Sequence, residues 1–131
     1  GLGDVYKRQE AKDHGEGGTI VGAPLKGKVI VIDDVISAGT SVRESVNLIR
    51  AAGATPSGVL IALDRMEKGG TATEMTEHSA VQEVEKLYQM PVISIINLKD
   101  LLAFMEEDTP MAQQAKPFRE AVLAYRKQYG A

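Results

Sequence analysis

The chain has no cysteine, no apolar run long enough to cross a bilayer, and no excess of basic charge. Without cysteine it forms no disulfide, offers no thiolate nucleophile and builds no cysteine-based metal site, which fits a reducing compartment. The longest apolar runs, residues 29–32 (VIVI) and 92–96 (VISII), are far shorter than the roughly 20 residues a membrane helix needs. The first residues carry no apolar block of the signal-peptide kind. The net charge is -3 with lysine and arginine scattered, so neither a nucleic-acid surface nor a membrane surface is expected. These absences point to a cytoplasmic protein whose partner is a small molecule. The chain opens on Gly-Leu-Gly-Asp and not on Met, as expected of a processed, trimmed or partial reading frame.

What is present is one domain's worth of apolar residues, 44% of 131, in a regular rhythm. Residues 1–18 are glycine-rich and charged with few apolar anchors, and read as a strand end followed by a mobile loop; residues 19–22 form a short returning strand. Lys26-Gly27 is a turn. Residues 28–35 (KVIVIDDV) read as a central strand buried on both faces, ending in two acids. A tight loop follows, and Thr40 or Ser41 caps a helix to Ala52 that buries Val42, Val46 and Ile49. Gly53 ends it. Residues 58–64 (GVLIALD) are a second buried strand, 68–78 an exposed loop, 79–88 a helix, 91–97 a third strand, and 98–107 a helix with Leu101, Leu102 and Met105 inward. A last helix reaches Tyr129, with Phe118, Val122, Tyr125 and Tyr129 packing it on the sheet. Strands alternating with helices give an α/β fold, a parallel sheet flanked by helices with a Rossmann-like core. In such sheets ligands collect at the C-terminal strand ends, where Asp33, Asp34 and Asp64 lie.

The chemistry concentrates in residues 29–41 (VIVIDDVISAGTS). Ala38, Gly39 and Thr40 carry little bulk, so backbone N–H groups can close around a phosphate at a helix N-terminus. Ser37, Thr40 and Ser41 add hydroxyl donors. Asp33 and Asp34 are then spaced to accept from the hydroxyls of a ribose whose 5-phosphate sits in the loop. On the residues alone a second reading stays open, a receiver-type signalling domain with its acidic pair at a strand end. It is disfavoured because Asp64 is followed by Arg65 and not by the hydroxyl-then-lysine series such a domain uses.

The same segment resembles the phosphoribosyl-diphosphate signature of type I phosphoribosyltransferases. Residues 10–18 (EAKDHGEGG) resemble the flexible catalytic loop of orotate phosphoribosyltransferases, as do Leu63-Asp64-Arg65 and residues 92–96. The resemblance runs from Arg8 to the end of the chain. It implies transfer of ribose 5-phosphate from 5-phosphoribosyl 1-diphosphate to orotate, giving orotidine 5′-monophosphate and diphosphate in pyrimidine synthesis. It implies Mg²⁺, with no protein ligand assigned to it. Asp33 and Asp34 would hold the ribose hydroxyls, and Val35, Ile36, Ser37, Ala38, Gly39, Thr40 and Ser41 the 5-phosphate, with Ser37 also near orotate. Arg65 would meet the orotate ring or its carboxylate. Arg8, Lys12 and His14 would reach the diphosphate from the neighbouring subunit of a homodimer, Lys12 and His14 stabilising the charge that develops on it. His78 matches no motif, and Arg43, Glu44, Glu83 with Lys86, and Lys99 with Asp100 read as solvated helix faces.

Two departures from the family pattern stand out. Gln9 occupies the position of a second basic residue, so weaker diphosphate binding is expected. No counterpart of the family's N-terminal strands and orotate hood precedes Gly1, so the domain is expected to be a partial, N-terminally truncated one, with residues 5–18 as loop region and 28–131 as core. Such a sheet is expected to expose an apolar face and an edge, and to associate through them. The competing readings are a purine-specific type I phosphoribosyltransferase, which lacks the residue 12–18 loop, and a regulator of the same fold.

Overall fold

The computed structural model describes residues 20–70 and 75–131. Their main sheet has three parallel strands, β1 (Lys28–Asp33), β2 (Thr55–Asp64) and β5 (Val92–Asn97), in the order β1-β2-β5. Register pairs Ile32 with Leu60 and Leu60 with Ile93. Between β1 and β2 runs α1 (Thr40–Ala51), and between β2 and β5 come a small antiparallel pair, β3 (Lys68–Gly70) and β4 (Met75–Ser79), and helix α2 (Ala80–Tyr88). The chain closes with α3 (Leu98–Phe104), α4 (Pro110–Ala115), a 3-10 turn (Lys116–Phe118) and α5 (Arg119–Tyr129).

Helix α1 forms because Val42, Val46 and Ile49 fall on one face, and all three are buried. They pack with Val31, Val59 and Ile61 of the sheet and Ala80 and Val84 of α2 in a single cluster. Full burial of one such side chain contributes about 1.5–3 kcal/mol, so this cluster holds the layers together. Helix α2 starts sharply because Ser79 and Gln82 form a capping box: Gln82 N donates to Ser79 Oγ (3.1 Å) and Ser79 N to Gln82 Oε1 (2.9 Å). Asn97 and Asp100 repeat the device at α3, so Asp100 is a capping residue and not a solvated face. A second buried group, Leu98, Leu102, Met105 and Ala112, sits under α3 and α4.

The parallel α/β architecture and the order of its main strands and helices agree with the sequence reading, and five details are corrected. Residues 20–22 form no strand. Segment 68–78 holds a β-hairpin, because the Glu83 carboxylate accepts from Gly70 N (3.2 Å) and Thr76 Oγ1 and ties both strands to α2. Glu83 is therefore a tether and not a solvated face. Thr40 and Ser41 do not cap α1; the cap position is Gly39, left-handed at φ 67, with no side-chain cap bond. The apolar stripe of α5 does not pack on the sheet: none of its residues is buried, and Tyr125 and Tyr129 meet each other as tilted rings with centroids 4.9 Å apart.

The fifth correction concerns β1, which is an edge strand covered on one face among the described residues, with β2 central. On the other face Ile30, Ile32, Ile93 and Ile95 are 60%, 42%, 60% and 73% exposed. That is the bare apolar face and open edge expected from the sequence.

Candidate functional site

β1 delivers Asp33 to its C-terminal end, and the chain then leaves the sheet. The turn is fixed locally. Asp34 N donates to Asp33 Oδ1 (2.9 Å), Val35 N donates to Asp34 Oδ1 (2.7 Å), and the Asp34 carbonyl accepts from Ala62 N (3.0 Å) and Leu63 N (3.1 Å) of β2. Ile36 is buried in the core and anchors the loop, and alone of residues 33–41 it does not line the cleft. Ser41 Oγ donates to Asp33 Oδ2 (3.0 Å), joining the strand end to the first turn of α1.

Asp33, Asp34, Val35, Ser37, Ala38, Gly39, Thr40 and Ser41, with Glu44, line one cleft of ≈ 500 Å³, a volume in the usual range for a small-molecule site. The first-turn N–H groups of α1 have no side-chain cap, and together with the helix dipole they favour an anion in this cleft. Gly39 at φ 67 lets the loop turn into the helix in a conformation other residues adopt at a cost of about 1–2 kcal/mol.

Arg65 follows the last residue of β2. Its Nη2 donates to Ser37 Oγ (2.8 Å), so the two residues that the resemblance set against orotate are in direct contact. Its Nε lies 3.2 Å from Glu67 Oε1, but neither atom has a hydrogen-bond partner, so the pair is held by charge without hydrogen-bond alignment. Met66 between them is left-handed at φ 54, an uncommon conformation for a non-glycine residue that costs on the order of 1 kcal/mol or more. Its N–H donates to Asp64 Oδ1 (2.8 Å).

Asp33, Asp34, Ser37, Thr40, Ser41 and Arg65 thus share one end of the sheet, while His78 lies on the separate β3–β4 hairpin. Arg8, Lys12 and His14, and with them Gln9, lie outside the described residues. Glu44, read from the sequence as part of a solvated helix face, lines the cleft, and Glu67, which the sequence reading does not single out, lies against Arg65. Glu44 was legible as the residue one helical turn after Thr40, and Glu67 as the acid of an Arg-x-Glu spacing. Asp33, Asp34 and Glu44 do not converge as a three-ligand metal site, and no such cluster occurs among the described residues. Asp33 and Asp34 present carboxylate oxygens, the donor type that a hard divalent cation takes. No helix among the described residues is long and apolar enough to cross a membrane.

No family model matches the chain. It is 64% identical over 129 residues to the orotate phosphoribosyltransferase of Cupriavidus necator, covering 98% of this chain and 56% of that relative. It is 60% identical over 131 residues to the orotate phosphoribosyltransferase of Bordetella avium, covering 98% of this chain and 58% of the relative. The crystal structure of the Francisella tularensis orotate phosphoribosyltransferase superposes with a TM-score of 0.63 at 26% identity, over 86% of this chain and 51% of that one. The corresponding enzyme of Aeropyrum pernix gives 0.53 at 30% identity, over 72% and 46%. The chain spans about half the length of the curated relatives it matches. Along nearly its whole length, at high identity and with a shared fold, the chain is thus similar to the C-terminal part of orotate phosphoribosyltransferases.

Proposed function

We propose that this chain builds the ribose 5-phosphate half of an orotate phosphoribosyltransferase site, serving pyrimidine synthesis in the cytoplasm. The observation that carries the reading is the ≈ 500 Å³ cleft in which Asp33 and Asp34 stand beside a small-residue loop and an uncapped helix N-terminus. The loop N–H groups and the Ser37, Thr40 and Ser41 hydroxyls bind the 5-phosphate, and the two carboxylates accept from the ribose hydroxyls. Arg65 and Ser37 face the base and select the anionic orotate. In the transfer, the bond from ribose C1 to diphosphate oxygen breaks with its electron pair leaving on diphosphate. An orotate ring nitrogen forms the new bond to C1, and its proton passes to an oxygen of the departing diphosphate. Mg²⁺ arriving with the diphosphate would supply charge neutralisation of the leaving group. Arg8 and Lys12 from the partner subunit of a homodimer add cationic donors there, His14 adds a hydrogen-bond donor, and together they exclude water from the reacting carbon.

Calorimetric titration of 5-phosphoribosyl 1-diphosphate with Mg²⁺ into this chain tests the reading, run beside the double variant Asp33→Asn, Asp34→Asn. Saturable binding by the chain and a loss of more than about tenfold in the variant is the expected outcome, since hydrogen bonds to charged acceptors contribute about 1.5–3 kcal/mol each. Equal affinity in both proteins would remove the carboxylates from the site and overturn it.

A further inference from the structure

Met66 is left-handed although it is not glycine, and such a residue persists only where its surroundings over-determine it. Three tethers do so. On the upstream side Met66 N donates to Asp64 Oδ1 (2.8 Å). On the downstream side the Glu67 carbonyl accepts from Ala80 N (3.0 Å) at the start of α2. The third comes from the far end of the sequence: Ala131 N donates to the Met66 carbonyl (2.9 Å), and Gly130 pairs with Glu67 in an isolated antiparallel bridge. The segment held this way carries Arg65, whose guanidinium lies between Ser37 Oγ and Glu67 Oε1.

Gly130 is fitted to this approach. A Cβ there would collide with the Arg126 carbonyl at the end of α5, so only glycine lets the chain leave that helix and turn onto Glu67. Its own backbone is extended, at φ -66 and ψ 141, which a following proline tolerates.

We infer that Gly130 and Ala131 are positioning residues for Arg65: by pinning the Met66 carbonyl and Glu67 they hold the guanidinium at Ser37 and so set the affinity for the anionic base. The inference rests on the reading of Arg65 as the base-facing group. It concerns one hydrogen bond, the same one that forms the Glu67–Gly130 bridge, distant in sequence from every other site residue.

Ala131→Pro removes the donating N–H and leaves the Gly130 conformation intact, while Ala131→Gly keeps the N–H and serves as the conservative control. In the full chain, Ala131→Pro is expected to weaken orotate binding about three- to tenfold, the span one net hydrogen bond covers. Affinity for 5-phosphoribosyl 1-diphosphate stays unchanged, and Ala131→Gly matches the parent for both ligands. The Arg65 Nε–H resonance, followed by NMR without ligand, is expected to shift in Ala131→Pro only. An unmoved resonance overturns the inference whatever the ligands do. So does orotate affinity equal to the parent's, or an equal loss for both ligands, which would mark a purely structural tie. If the parent itself binds no orotate while the resonance shifts as expected, the reading of Arg65 fails and the positioning of its guanidinium stands.

Discussion

Arg65 Nη2 donates to Ser37 Oγ across 2.8 Å, which joins the end of β2 to the loop after β1 by a single side-chain contact. The two residues follow adjacent parallel strands: Asp33, the last residue of β1, pairs with Ile61, β2 runs on to Asp64 just before Arg65, and the loop after β1 carries Ser37 along that extension. A planar guanidinium can keep this bond and still present a second edge to a carboxylate.

Arg65→Lys keeps the charge and loses the fork. Orotate binding is expected to weaken by about tenfold or more, with 5-phosphoribosyl 1-diphosphate affinity changed by less than about threefold. Titrating the two ligands separately reads the difference, and a parallel loss of both would place Arg65 in the phosphate half.

Gly39→Ala tests the loop. The added Cβ would meet Val84 Cγ2 at 3.4 Å, an ordinary contact, so the cost comes from the left-handed backbone and amounts to about 1–2 kcal/mol. Thermal unfolding should show a fall in Tm of roughly 3–5 °C per kcal/mol. An unchanged Tm would mean the loop relaxes out of this conformation without penalty.

Ile93→Thr with Ile95→Thr bears on the bare sheet face. Threonine keeps the strand preference and removes apolar surface. Sedimentation velocity at increasing concentration should show the parent chain self-associating and the variant shifted toward monomer. Indistinguishable profiles would mean this face does not drive association.

Ser79→Ala removes one half of the α2 capping box and should destabilise the chain by about 1 kcal/mol, measured by urea unfolding. Since α2 also carries Glu83, which holds the β3–β4 hairpin, hydrogen exchange should rise first at Gly70 and on β4.

The site was largely legible because its parts are local. An apolar strand, two acids, a small-residue loop and an amphipathic helix follow one another along residues 28–51, and their order in sequence is their order in space. The hairpin at 68–79 was not legible, because its composition reads as loop and its strands are held by the carboxylate of Glu83 from the following helix. Nor was the place of β1 at that open edge, since an apolar run looks the same at an edge as at the centre of a sheet. The α5 stripe had helical spacing, but spacing gives the face and not what that face meets. The Gly130 bridge to Glu67 joins points that no local pattern relates.

Helix α1 begins on a left-handed glycine with no side chain closing its first turn. On the proposed function, a substrate phosphate would close that turn from outside the chain and act as a structural part of the fold as well as its cargo, making the liganded protein the more complete folded state. Stability should climb with the logarithm of phosphate-ester concentration above its dissociation constant, so that the melting temperature itself becomes a gauge of site occupancy.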